Sequence, residues 1–334
     1  MLAAVPCMAL GSIVHSQGAR LPLKRIGVLF QGTQADDMSW WDKDFTEPMR
    51  ARQWHPGRDY VLVRAYGDWR LDRLDAAVAE LIKQKVDLIV LYTPDDVTMA
   101  VASATKTVPI VFNQAYAPLE LGLIDSYARP GRNLTGTTIF SGPEVIAKRL
   151  EYLRALAPQA TRLFWLYGSG SPLMRTLGGG TFDAGELIRR TADSLGMTAR
   201  IHVVHDPSEV EAALTAASTW GAHAISAGGS PVYVEKERVI DFATKARVPT
   251  VFSVRDYVRA GGLMSYGVPS AEYDALTDRW VAQIDKVLRG TPPAVIPVEI
   301  PIRFELCINA KVAKHLGVTI PLALRSRADE IIGG

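Results

Sequence analysis

The chain has 334 residues, 48% of them hydrophobic and 22% charged, with a formal net charge of +2. That length buries a sizeable core and exceeds the usual compact domain, so two domains are expected. Acids and bases are interspersed, which leaves no electrostatic footprint for nucleic acid or an anionic membrane and points to a small-molecule or protein partner.

From Leu2 to Val14 the run LAAVPCMALGSIV is apolar and uncharged, and the small and polar His15 to Ala19 follow it. This is the pattern of an export-signal core and cleavage zone within residues 1–22, with Val14-His15-Ser16 suiting the small-residue rule at the cut. Nothing basic precedes His15, so the expectation is a signal whose true start lies upstream, with an N-terminal arm as the alternative. Cys7 follows Ala4-Val5-Pro6, a poor fit to a lipoprotein box, and it shares no metal or redox spacing with Cys307. The two cysteines therefore define no compartment. No other stretch approaches the ~18 uncharged apolar residues of a membrane span.

From Arg25 onward, short β-branched runs alternate with helix-length amphipathic segments, which predicts parallel strands joined by right-handed crossovers. Strands over 25–30, 60–66, 87–92 and 110–113 alternate with helices over 41–53, 71–83 and 95–104. After 128–140 a second series begins, with helix 143–157, strand 162–167, helix 185–195 and strand 200–204. Helix 207–220, strand 222–227, helix 232–246 and strand 250–253 complete it. The fold class is α/β, two doubly wound parallel-sheet lobes whose strand carboxyl ends share a crevice. A long helix over 271–288 precedes a proline-rich stretch and a strand-like run over 298–308. This tail is too short for a third domain, so it is expected to return to the first lobe and cross again, making a multi-strand hinge.

The loops after the strands name the candidate ligand residues in advance. In the first lobe they are Gly32, Thr33 and Gln34, then Tyr92 and Thr93, then Asn113, Gln114 and Tyr116. Thr93-Pro94 reads as an N-cap and first helical residue, which offers a carboxylate the hydroxyl and the N–H groups behind it, or merely caps its own helix. Of the adjacent Trp40 and Trp41, one is expected to point outward, as a wall for a flat ligand or simply on the surface.

In the second lobe the candidates are Tyr167, Gly168, Ser169 and Ser171, then Gly228, Gly229 and Ser230, then Ser253, Arg255 and Tyr257. The Gly-Ser-Gly-Ser and Gly-Gly-Ser steps suit close backbone approach to a polar group, although ordinary strand-to-helix turns read the same way. Arg255 either clamps a carboxylate or bridges the lobes through an acid. Tyr92, Tyr116, Tyr167, Tyr257 and Tyr266 together predict an aromatic-rich cleft.

Enzyme signatures are missing: the sequence has no Gly-x-Ser-x-Gly elbow, no P-loop and no Gly-x-Gly-x-x-Gly after the first strand. His202 and His205 fall on opposite faces of a predicted strand and make a poor metal pair. Asp36-Asp37 and Asp95-Asp96 read as solvated charges at helix starts. No cofactor or metal is expected. Asn133-Leu134-Thr135 matches a glycosylation acceptor by coincidence, since it lies in the inter-lobe crossing.

Five ordered segments carry a family resemblance: DLIVLYTPDDVTMA (87–100), VPIVFNQAYAPLELGLIDSYARPGRNLTG (108–136), KRLEYLRALAPQATRLFWLY (148–167), FSVRDYVRAGGLMSYG (252–267) and IPVEIPIRFELCINAKVAKHLGVTIP (296–321), with RADEII (327–332) at the end. They resemble the ABC-transporter substrate-binding proteins, including the tryptophan-uptake type. The resemblance implies a type I periplasmic-binding fold, with one lobe over 23–137 plus 268–297 and the other, with the hinge, over 138–267 plus 298–334. It further implies export to the periplasm, a monomer partnered by permease transmembrane subunits and a cytoplasmic ATPase, and no catalysis. Association with the membrane is the variant of that location.

Two departures from the family pattern bear on the ligand. Family members often carry aspartate in a Gly-Asp-Pro step where this chain has Tyr116-Ala117-Pro118, and asparagine where it has Gly168. The missing acid removes a partner for a ligand ammonium. The expected ligand therefore widens from an aromatic or branched amino acid to an aromatic or small carboxylate. The alternatives are a periplasmic sensor feeding a receptor and a cytoplasmic α/β enzyme. An effector-binding repressor is disfavoured because no helix-turn-helix-length segment precedes Arg25.

Overall fold

The computed structural model describes residues 22–30, 32–34, 41–92, 95–139, 143–168, 173–175 and 181–334. The first sheet comprises β1 (Lys24–Phe30), β2 (Tyr60–Tyr66), β3 (Leu88–Tyr92), β4 (Ile110–Ala115) and β5 (Leu134–Thr138), all parallel in the order β2-β1-β3-β4-β5. Its strands read as apolar runs because both faces are covered. Ile26, Val28, Leu88, Val90 and Val111 enter one core, under the helical segment containing Trp41, Phe45 and Met49 and under helix Ser270–Leu288. Leu29, Ile89, Leu91, Ile110 and Phe112 enter the other, under helices Leu74–Lys83 and Asp95–Ala104.

The second half comprises β6 (Arg162–Gly168), a short hairpin of β7 (Leu173–Arg175) and β8 (Thr181–Asp183), then β9 (Thr198–Val204), β10 (Ala224–Gly228), β11 (Thr250–Phe252), β12 (Met264–Gly267), β13 (Glu305–Asn309) and β14 (Glu330–Ile332). Its large sheet has the order β14-β13-β12-β11-β10-β6-β9. The parallel part, β9-β6-β10-β11-β12, is arranged as the first sheet is, with β13 antiparallel to β12 as an addition. Each half is thus doubly wound, with its chain order reversing between β1 and β3 or between β6 and β10, the positions where open α/β sheets hold ligands.

The chain crosses between the halves three times. After β12 it returns to the first half as helix Ser270–Leu288, where Trp280 Nε1 donates to the Val111 carbonyl at 3.1 Å and Gln283 Nε2 donates to the Gly136 carbonyl at 3.0 Å. The strand expected over 298–308 is divided. Glu299 N–H donates to the Gly136 carbonyl and its own carbonyl accepts from Thr138 N–H, so 298–299 lengthens the outer edge of β5, while β13 starts only at Glu305. Pro301 stands in the gap, and lacking an N–H it cannot continue a ladder.

Cys307 lies on β13 with 1% of its surface exposed, and burial beside Glu330 and Glu305 pushes its thiol up to about 11. A thiol so placed is protonated and shielded at neutral pH. In a Cys7→Ser background, Ellman's reagent at pH 8 is expected to leave the folded protein untouched and to titrate one thiol after unfolding in denaturant. Prompt reaction of the folded protein would contradict this placement.

Candidate functional site

Tyr116 follows β4 and Tyr167 is the penultimate residue of β6, so each marks the carboxyl end of its sheet. Their rings meet edge to face with centroids 6.4 Å apart, and Tyr116 packs against cores of both halves. The carboxyl ends of β4 and β6 therefore meet through two aromatic rings, a surface that suits contact with a flat apolar body.

Arg149 enters the same region from helix Pro143–Leu156. Its Nε donates to the Tyr266 carbonyl at 3.0 Å, near the end of β12. Burial holds its guanidinium pKa below the usual value, while the phenols of Tyr116, Tyr273 and Tyr266 act in the opposite sense. Burial also pushes Tyr273 up to about 12 and raises Tyr266, so both phenols stay protonated donors at neutral pH. Sequence reasoning missed Arg149. The signal was there: it lies three residues after Ile146 and four before Leu153, a charge on the helix stripe that otherwise packs against the sheet of the second half.

The structure distributes the candidate residues unevenly. Gly32 is buried and its carbonyl accepts from Asp68 N–H, with Thr33 half-buried and Gln34 exposed beside it. Tyr92 sets its ring edge-on to Trp280 at 6.0 Å. Asn113, 1% exposed, accepts a hydrogen bond from Thr137 Oγ1, and its Nδ2 is a buried donor with no partner among the described residues. Gln114 is in β4 and Ser230 opens a short helix, Ser230–Val234, but both side chains lie outside the described structure. Gly228 ends β10 close to Ser253, whose Oγ an added Cβ would meet at 3.2 Å. Trp40, Thr93, Ser169 and Ser171 lie outside the described residues.

Two candidates are occupied within the second lobe. Arg255 Nη1 lies 3.5 Å from Glu305 and 3.8 Å from Glu330, so acids of its own lobe already balance its charge. Tyr257, 1% exposed, belongs to the core: its ring lies flat on Phe252 at 4.3 Å, because the helix Arg255–Arg259 turns it back onto the sheet. Trp41 is likewise core, stacked on Phe45 at 4.3 Å.

Elsewhere, a groove between helices Val210–Trp220 and Lys236–Ala246 is lined by Glu211, Glu235 and Arg238 over Leu214 and Phe242. Arg238 pairs there with Glu235 at 2.8 Å and Glu211 at 3.1 Å, so the groove reads as a solvated ion-paired face. His202 stacks on Phe164 at 5.7 Å, and burial, followed by the Arg200 charge, lowers its pKa. Among the described residues no cluster of His, Cys, Asp and Glu gathers to hold a metal, and no helix is long and apolar enough to cross a membrane.

Two sheets that share one parallel arrangement, joined by three chain crossings and touching through tyrosines at their strand ends, have the architecture of the type I periplasmic-binding fold. The chain belongs to the family described as ABC transporter substrate binding protein, whose profile matches residues 70–332. That family consists of binding proteins and not enzymes. A tyrosine-binding protein of Clostridioides difficile is 33% identical over 92 residues, 27% of this chain and 25% of the relative. The chain thus matches only about a quarter of that relative's length. A conserved domain protein of Vibrio cholerae superposes with a TM-score of 0.75 at 21% identity, covering 92% of this chain and 99% of its own. The ABC domain of Streptococcus pneumonia in complex with L-Trp superposes with a TM-score of 0.73 at 22% identity, covering 93% and 100%. At these identities the two structures share the fold.

Proposed function

We propose that the chain is an extracytoplasmic substrate-binding protein that captures an aromatic or branched amino acid, or an aromatic carboxylate, and delivers it to an ABC permease. The observation that carries the reading is the approach of Tyr116 and Tyr167 to 6.4 Å from opposite lobes. The L-Trp in the streptococcal neighbour and the tyrosine named for the clostridial relative support a ligand with an aromatic body. The mechanism is hinge closure. A ligand entering the open cleft packs against these rings, the lobes rotate about the three crossings, and water is expelled from the polar groups around the ligand. The closed monomer then offers one shape to permease subunits powered by a cytoplasmic ATPase. Residues 1–22 act as the export signal in this reading.

Native mass spectrometry of freshly purified protein is expected to show one retained small molecule per chain. Calorimetry with L-tryptophan, L-tyrosine, L-phenylalanine, L-leucine and 3-phenylpropionate is expected to find at least one ligand near micromolar affinity or tighter, about −8 kcal/mol. A protein that retains nothing and binds none of these would sink the proposed ligand class.

A further inference from the structure

We infer that Arg149 is the carboxylate anchor of the cleft, and that the ligand is an aromatic body carrying a carboxylate head. The inference rests on the binding function proposed above and adds to it the residue that selects the ligand's charged group.

Placement comes first. Helix Pro143–Leu156 precedes β6, so its amino end lies at the carboxyl edge of the sheet, and helical side chains lean toward that end. Arg149 therefore reaches the edge where β12 finishes, and its Nε bond to the Tyr266 carbonyl fixes the plane of the guanidinium. The surrounding phenols come from separate parts of the hinge: Tyr116 from the first lobe, Tyr266 from the second, and Tyr273 from the helix that links them. Closure of the lobes thus completes the ring of groups around this cation.

Charge balance comes second. The fold pairs its other half-buried arginines at the lobe boundary with acids: Arg255 with Glu305 and Glu330, and Arg279 with Glu272 and Glu299. Arg149 is different. Among the described residues no carboxylate pairs with it, and Nε is its one hydrogen-bonded nitrogen. A half-buried cation without a counter-charge is costly, and the two Nη nitrogens offer the parallel donors that a carboxylate accepts. Tyrosine hydroxyls beside them supply further donors. A ligand carboxylate supplies both the counter-charge and two acceptor oxygens, whereas an amide head offers one carbonyl oxygen without charge and an ammonium offers neither.

The test uses ligand pairs that differ only at the head: L-tyrosine and L-tyrosinamide, L-tryptophan and L-tryptophanamide, 3-phenylpropionate and its amide. Calorimetry on the full chain is expected to show the wild type preferring the carboxylate of a bound pair by on the order of 100-fold. Arg149→Met is expected to erase that preference while leaving the amide's affinity within about threefold. A purely structural role would weaken both members equally, so the ratio separates anchoring from bracing. Should Arg149→Met fold poorly, Arg149→Lys keeps the charge and is expected to retain the preference with affinity about tenfold lower. A preference that survives intact in Arg149→Met, or equal loss for both heads in Arg149→Lys, overturns the anchor and leaves the binding function standing. If the wild type binds neither member of any pair, the proposed ligand class fails and the anchor fails with it.

Discussion

Replacement of Trp280 by alanine is expected to lower the unfolding free energy of the first lobe by about 4 kcal/mol, the cost of deleting a large aromatic side chain from a packed core. Trp280 is fully buried, with Trp41 at 6.3 Å, Phe45 at 5.8 Å and Tyr92 at 6.0 Å, so the vacated space has aromatic walls that cannot all relax inward. The same substitution strips a hydrogen bond from the Val111 carbonyl, worth about 1 kcal/mol more. Trp280→Phe refills most of the volume but cannot donate, so it is expected to recover about half the loss. Urea unfolding followed by far-UV circular dichroism measures both, and a loss below about 1 kcal/mol for Trp280→Ala would mean that helix Ser270–Leu288 is held by its other contacts.

Gly229→Ala is expected to cost about 3 kcal/mol or more, and to weaken ligand binding with it. Gly229 has φ 92° and ψ 158°, a region open in practice only to glycine, and an added Cβ would lie 1.8 Å from the Gly168 carbonyl oxygen. Backbone blocks backbone here, at the turn that follows β10 beside the end of β6. Relief requires the two strand ends to part, which displaces Tyr167 and the facing Tyr116. Gly57→Ala is the control. Its φ is +77° but nothing lies within 4 Å of the added carbon, so its expected cost is about 1 kcal/mol. Comparable losses for the two variants would show that the β10 turn yields without moving its neighbour.

The strands and helices were legible because a sheet covered on both faces writes itself as dense β-branched runs, and the amphipathic segments between them keep one register throughout. Resolving 298–308 was harder, because Glu299 pairs with the first sheet and Ile308 with the second, while the sequence shows one alternating strand-like run in which Pro301 is the one mark of a break. The hairpin of β7 and β8 carries no alternating pattern and drew no expectation. Position after a strand led to Tyr116 and Tyr167, whose rings the structure brings to 6.4 Å of each other, since strand-end placement follows from topology. It failed for Tyr257, where a short helix folds the ring back onto Phe252, and it could not reach Arg149, which sits in a helix and not in a loop. A cation on an apolar stripe is legible, but only when each helix is examined for what its buried face should not contain.

The return of helix Ser270–Leu288 to the first sheet also governs how the protein can be made. All five strands of that sheet have been synthesised by Thr138, yet the face bearing Ile26, Val28, Val90 and Val111 lacks Trp280, Val281 and Ile284 until the chain is nearly finished. An emerging chain therefore carries an uncovered apolar surface through the synthesis of the entire second lobe. In the exported role proposed above this delay is useful: the first lobe does not close early, and its stable state becomes available only to a chain whose last long helix has arrived.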